Sequence, residues 1–368
     1  MNKRLFIDVT RLAIPAHRHS GIARIGRELL DWFDRDPTFE VIPVLQEKFL
    51  GGDFDVSASV IDPVLDKIRG RVHTCKEVEA GVEVLRPSSP QRGDVFLSTH
   101  LPLPSRAITG EAKRAIIVHD LIHHPALSRE RADKPVILQV LDSIDIESDL
   151  VVVPSYTTLV DLMSLPGWER VNSRVVRFGT NFVGQTGGAK RDGVTTILQP
   201  GARKNAKAAL EAIEGVLSDE RFKKHDLTVV ATGRMVELSQ DFLRQSRLSD
   251  GRWAVRSDIT DQELIQIYGR SAVFVYPSSF EGFGLPIIEA FACGAPVVAT
   301  LSASSLEVGG GAVCYSTSPS PQDLGEAISL VLSDDEYRAQ LSQLGQIRAE
   351  QFSWNSAATR LSQALISM

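Results

Sequence analysis

The stretch Ala272–Thr300, AVFVYPSSFEGFGLPIIEAFACGAPVVAT, decides the fold. Ala272–Tyr276 is an unbroken apolar run that predicts a buried strand, and Pro277 ends it. Ser278–Leu285 carries Gly282 and Gly284, which predicts a loop where the backbone turns tightly or approaches a ligand. Pro286 suits a first helical turn, Ile287–Cys293 continue that helix, and Gly294 suits the position just past its end. Pro296 then leads into a strand at Val297–Ala299. Strand, loop, helix and strand in this order form a unit of a parallel α/β sheet. The helix N-terminus presents unpaired N–H groups and the positive end of the dipole, so it suits an anion such as phosphate. Glu281 on the loop and Glu289 one turn into the helix flank it. Carboxylates beside a phosphate site hold sugar hydroxyls in dinucleotide folds. Two readings stay open on these residues alone: a sugar-nucleotide site, or an ordinary β–α turn with solvated glutamates.

The same alternation runs outward in both directions. Before the stretch, Leu5–Val9, Val95–Ser98, Ala115–Val118, Leu150–Val153 and Arg174–Arg177 predict strands, and Ile22–Phe33 an amphipathic helix. Gly184–Gly193 holds four glycines and little to bury, and reads as a linker. After it come strands at Val194–Leu198 and Leu227–Thr232 and helices at Asn205–Leu217 and Asp261–Tyr268. Beyond the stretch, helices are expected at Pro321–Leu332, Asp335–Phe352 and Trp354–Ser367. The chain has 368 residues, enough for two or three domains at about 150 residues each. The fold class is α/β, with two similar-sized parallel-sheet domains and a cleft between them, a common place for ligands.

Composition excludes several functions. Apolar residues make up 43 % and charged residues 23 %, with a mean hydropathy of −0.03, which excludes a mainly disordered chain. No apolar run approaches the roughly 18–20 residues a bilayer span needs. Asp8 interrupts the amino terminus before a leader core could form, so a cytoplasmic location is expected. The net charge of −6, from 46 acidic and 40 basic residues, argues against bulk nucleic-acid binding. Cys75, Cys293 and Cys314 are too few and too scattered for a disulfide framework or a zinc site, and buried thiols are expected.

The E-x7-E spacing of Glu281 and Glu289 inside EGFGLPIIEAFACGAPVVAT resembles the donor-site signature of the retaining glycosyltransferases of family 4, which have the GT-B fold. Other segments match in order: Ser20-Gly21-Ile22-Ala23-Arg24, Val118-His119-Asp120, Ala202-Arg203-Lys204-Asn205, Ile259–Leu264 and Phe352-Ser353-Trp354. The likeness is strong over residues 190–355 and looser before them. It implies an acceptor-side Rossmann-like domain at 1–185, a donor-binding domain at 186–353, and a last helix (354–368) crossing back to the first domain. It also implies roles for single residues. Glu289 would hold the nucleotide ribose and Glu281 hydroxyls of the transferred sugar. The backbone N–H groups of Phe283, Gly284 and Leu285 would face the diphosphate, with Gly21 in the loop after the first strand. Lys204 would neutralise the leaving diphosphate, a charge that builds in the transition state. His119 would lie against the donor sugar, or form a structural pair with Asp120. Arg203 is either a second diphosphate ligand or a surface arginine, and Arg234 has the same two readings. His123 and His124 match nothing functional.

The resemblance further implies a hexosyltransferase acting on a nucleotide-diphosphate sugar, GDP-mannose favoured, in bacterial surface polysaccharide synthesis. The acceptor would be a saccharide or a lipid-diphosphate saccharide. No cofactor or metal is expected, because Lys204 and the helix terminus supply the positive field. Asp53-Phe54-Asp55 spells the D-x-D of metal-dependent transferases of the other fold, but lies in the acceptor-side half. One departure stands out: Leu198-Gln199 occupies the place where many relatives carry a cation. That departure leaves open a non-catalytic protein that binds a sugar-nucleotide or a partner. Residues 1–27 set Lys3, Arg4, Arg11, Arg18, Arg24 and Arg27 against Asp8 alone. This basic patch suits a phosphorylated acceptor near an anionic membrane, or is simply a solvated surface.

Overall fold

The computed structural model describes residues 3–14, 21–46, 49–50, 71–78, 82–86, 89–127, 136–184, 191–248 and 251–368, with 75–78 and 82–86 as backbone. Ser20, Asp53–Asp55, residues 185–190 of the glycine-rich run and the Cys75 side chain lie outside that description. The chain divides into two units, Met1–Phe178 with Trp354–Met368, and Gly179–Ser353. The division falls at Gly179, ahead of the glycine-rich run.

The first unit is built on β1 (Lys3–Asp8), β2 (Phe39–Gln46), β3 (His73–Val78), β4 (Val82–Arg86), β5 (Val95–Ser98), β6 (Lys113–Ile117), β7 (Leu150–Val153) and β8 (Ser173–Val175). They form one sheet in the order β4-β3-β2-β1-β5-β6-β7-β8. The sheet is parallel as expected, with one antiparallel pair, β3 and β4, at its edge. Helices α1 (Gly21–Phe33), α2 (Arg106–Thr109), α3 (Val136–Asp142) and α4 (Tyr156–Met163) connect the strands. β5 and β7 are buried at every position, as strands covered on both faces must be. Helix α1 keeps its apolar stripe, Ala23, Ile25, Leu29, Leu30 and Phe33, against this sheet.

The second unit has β9 (Gly193–Leu198), β10 (Asp226–Ala231), β11 (Trp253–Arg256), β12 (Ser271–Tyr276), β13 (Val297–Thr300) and β14 (Val313–Ser316). Its order is β11-β10-β9-β12-β13-β14, parallel throughout. The connecting helices are α5 (Ala206–Leu217), α6 (Met235–Gln245), α7 (Asp261–Arg270), α8 (Leu285–Ala292), α9 (Ala303–Gly309), α10 (Pro321–Ser333) and α11 (Asp335–Ala349). Cys293 and Cys314 are buried free thiols in this unit.

The last helix, α12 (Trp354–Ile366), packs in the first unit. Trp354 stacks on Phe178 with ring centroids 5.8 Å apart. Trp32 Nε1 donates to Asn355 Oδ1 at 3.0 Å, and Ser362 Oγ to Asp36 Oδ2 at 3.2 Å. Among the described residues no helix is long and apolar enough to cross a membrane.

Candidate active site

Each sheet reverses its strand order once, between β1 and β5 and between β9 and β12. In open α/β sheets the crevice at such a reversal, beyond the carboxyl ends of the strands, is where ligands bind. The sequence-predicted residues gather at these two places.

In the second unit the loops leaving β9 and β12 are tied together. The loop after β9 passes through Gly201, at φ 133°, into a short 3-10 turn, Ala202–Lys204. Asn205 follows in the left-handed region at φ 48°, a conformation Asn tolerates better than most side-chain-bearing residues. Its Nδ2 donates to Arg203 O at 2.9 Å, Pro277 O at 2.8 Å and Ser279 Oγ at 2.9 Å. Ser279 N also donates to Arg203 O, at 3.0 Å. Asn205 thus pins the turn that carries the cations to the loop that carries Glu281.

Glu281 Oε1 accepts from Arg203 Nη1 at 2.7 Å, from Lys204 Nζ at 2.5 Å and from Ser278 Oγ. Arg203 Nη1 also donates to Phe280 O at 3.0 Å. The side chains of Arg203, Lys204 and Glu281 are only 15 %, 11 % and 14 % exposed, so water screens these ion pairs poorly. Arg203 is therefore not a surface arginine. Burial pushes the Glu281 carboxyl up, but the Lys204 and Arg203 charges and the bonds from Lys204 and Ser278 outweigh it. The result lies below the ordinary carboxylate value. Burial and the neighbouring Glu281 charge push the Tyr276 phenol well above its usual range, so it stays neutral.

Helix α8 opens at Gly284, φ 115°, with no side-chain cap and Pro286 in its first turn. Pro286 has no N–H and Ile287 N donates to Gly284 O at 3.0 Å, so within the first turn the Leu285 N–H is the one the helix does not use. Phe283 is buried, its ring edge-on to Phe352 at 6.0 Å, so it contributes its backbone to the loop. Glu289 is 4 % exposed on α8. Neither glutamate is solvated. Arg234 sits exposed at the start of α6. Leu198, the last residue of β9, is buried in the core, and Gln199 follows it.

His119 and Gly21 belong to the first unit. Gly21 is the exposed first residue of α1. His119 follows β6, and its Nε2 lies 2.7 Å from Thr99 O. A carbonyl only accepts, so Nε2 carries the proton and neutral His119 presents Nδ1 as an acceptor. Its ring lies 5.6 Å from His100 and 5.7 Å from Phe178. Burial lowers the His119 pKa, and Arg11 lowers it further, against the bond to Thr99 and the charge of Asp120. Imidazole is thus favoured over imidazolium. Thr99 Oγ1 in turn donates to Asp8 O at 2.8 Å. The buried Asp8 carboxylate accepts from Thr10 N at 3.0 Å and Gln46 Nε2 at 3.0 Å, holding the ends of β1 and β2 together. His123 and His124 lie in the turn that follows.

Sequence reasoning gave no role to Asn205 or Ser278. The left-handed φ of Asn205 leaves no local pattern, although Asn after a short basic run at a helix start is a usable sign of it. Ser278 lies three residues before Glu281, within reach on a tight loop.

Residues 201–348 match the family model of the glycosyl transferases group 1. This stretch is similar to that family's domain, and it contains Arg203, Lys204, Glu281 and Glu289, and thus the whole cation–carboxylate cluster. The chain is 38 % identical over 102 residues to the O-antigen chain mannosyltransferase B of Escherichia coli, a match spanning 28 % of this chain and 27 % of that protein. It is 30 % identical over 159 residues to the serotype-specific mannosyltransferase WbdA of Escherichia coli, covering 42 % of this chain and 19 % of the relative. These matches span about a quarter or less of the curated relatives' length. The crystal structure of Anabaena HepE in complex with UDP superposes over 100 % of both chains, with a TM-score of 0.69 and 16 % identity. At that identity the likeness is one of fold, two Rossmann-like domains of the GT-B type.

Proposed function

We propose that the protein is a retaining hexosyltransferase that moves a sugar, mannose by preference, from a nucleotide-diphosphate donor. The acceptor is a growing bacterial surface glycan or its lipid-diphosphate precursor. The observation that carries this reading is the buried cluster of Arg203, Lys204 and Glu281 beside the uncapped N-terminus of α8. Two cations and a helix terminus suit a diphosphate, and two carboxylates suit hydroxyls. The mannosyltransferase relatives support the choice of sugar.

In this reading Lys204 and Arg203 hold the diphosphate as negative charge builds on it when the glycosidic bond breaks. Arg203 supplies the second cation that Leu198-Gln199 lacks. The N–H groups of Phe283, Gly284 and Leu285 face the same phosphates, Glu289 binds the ribose, and Glu281 orients both cations and reaches the sugar hydroxyls. Gly21 lets the acceptor-side backbone approach. His119, neutral and with Nδ1 as acceptor, takes a hydrogen bond from a hydroxyl of the donor sugar. The departing phosphate accepts the acceptor's proton, so neither a protein nucleophile nor a metal is required. The enzyme works in the cytoplasm, at the inner face of the membrane.

Calorimetric titration with GDP-, UDP-, dTDP- and ADP-sugars tests this directly. GDP-mannose should bind most tightly. Glu289→Ala should weaken binding at least tenfold, whereas Lys204→Ala should lower turnover about a hundredfold with a smaller effect on affinity. Wild-type affinity and turnover in both variants would remove the site assignment.

A further inference from the structure

Among the described residues at the β1–β5 reversal, Arg11 carries chemistry that the donor site does not use. It lies on the 3-10 turn Thr10–Ala13, directly after β1. The side chain is half-buried, its Nε is buried without a hydrogen-bond partner, and no ion pair to it occurs among the described residues. A guanidinium partly removed from water and given no counter-charge is costly unless something else supplies one. The nearest acid in sequence, Asp8, is already taken up by Thr10, Gln46 and Ser98. Gln46 N donates to Thr10 Oγ1 at 2.8 Å, so Gln46 sits beside the same turn. Its Nε2 is used by Asp8 and Pro102, while its Oε1 is buried and receives no donor. The turn therefore offers a cation and an acceptor, both unmatched. His119 is held near by two successive bonds, His119 to Thr99 O and Thr99 to Asp8 O.

We propose that Arg11 binds a phosphate group carried by the acceptor. This rests on the donor reading above, in which Arg203 and Lys204 of the second unit already neutralise the donor diphosphate. A guanidinium matches a phosphate through two parallel hydrogen bonds. The acceptor is then a phosphorylated or diphosphate-linked saccharide rather than a neutral sugar chain.

His119 reports on the site, because the charges that face it are Asp120 and Arg11, with the ring of His100 beside it. The test uses the full chain labelled with 15N-histidine, titrated with inorganic phosphate, with His119 assigned by its absence in His119→Gln. In the wild type, phosphate should raise the His119 pKa by cancelling the Arg11 charge. Arg11→Gln should start higher and bind phosphate about tenfold or more weakly at this site. Arg11→Lys keeps the charge and should keep the response, which separates charge loss from misfolding. GDP alone should not move His119, and should bind Arg11→Gln within about twofold of wild type, as independent sites do. A phosphate response that persists in Arg11→Gln overturns the inference. So does a GDP response that needs Arg11, because the anion is then the donor's own. If GDP does not bind the wild type, the donor reading falls and with it the acceptor assignment. If GDP binds and phosphate leaves His119 unmoved, this inference alone falls.

Discussion

Glu281→Gln isolates the charge at the centre of the cluster. Gln keeps the length and one oxygen acceptor but removes the negative charge that Arg203 and Lys204 share. Breaking a fully buried ion pair costs about 3–5 kcal/mol, because a charge is left uncompensated. Here the side chains keep 11–15 % of their exposure, and the amide oxygen can still accept from Ser278, so about 2–3 kcal/mol is expected. In a unit of this size, Gly179–Ser353, that corresponds to a fall in Tm of roughly 5–10 °C. The loss should depend on pH. The Glu281 pKa is lowered in the folded chain from an ordinary 4.5, so its contribution is present above 4.5 and is lost as pH falls through the depressed value. Melting curves of wild type and variant should lie apart at pH 7 and converge in acid. A fall of under about 1 °C at pH 7, or a gap that widens as pH falls, would refute the view that this carboxylate holds the cations.

Three further outcomes follow from single residues. Asn205→Ala loses three hydrogen bonds and keeps a strained φ, so it should cost about 2–4 kcal/mol in urea unfolding. Asn205→Gly relieves the strain and should recover about 1 kcal/mol of that. Gly284→Ala should cost about 1–2 kcal/mol through its φ of 115° rather than through crowding, since an added Cβ meets only Ile287 Cδ1 at 3.6 Å; a neutral result would contradict the left-handed geometry. His119 has its pKa lowered below the ordinary 6.5, so the acid limb of a kcat/KM profile that depends on neutral His119 should lie below 6.5, and a limb above it would contradict the burial argument.

Punctuation made β12 and α8 legible, because Pro277, Gly284, Pro286 and Gly294 bracket them in sequence. The expected limits, Ala272–Tyr276 and Pro286–Cys293, differ from the observed Ser271–Tyr276 and Leu285–Ala292 by a single residue at each differing end. β2 was not legible. Its sequence FEVIPVLQ carries Pro43 mid-strand, which argues against a strand until pairing is known. β3 pairs with β2 only from Val44 onward, one residue past the proline, so at Pro43 β2 still has an open side. β11 and β14 also went unread, being runs of four residues at the two sheet edges. The residue types of the cluster were visible, but its wiring was not. Arg203 and Lys204 reach Glu281 across 78 and 77 residues of sequence, and only the adjacency of β9 and β12 brings those loops together. Spacing along the chain gave separate tasks to residues that share one oxygen atom.

The proposed reaction is transfer from a nucleotide sugar with retention. The most direct measurement is 1H NMR of GDP-α-mannose incubated with the protein, following the first anomer of mannose released to water or to an added acceptor. GDP release with the α-anomer appearing first is expected, with loss of that activity in Lys204→Ala. First appearance of the β-anomer, or turnover that survives Lys204→Ala unchanged, would contradict it.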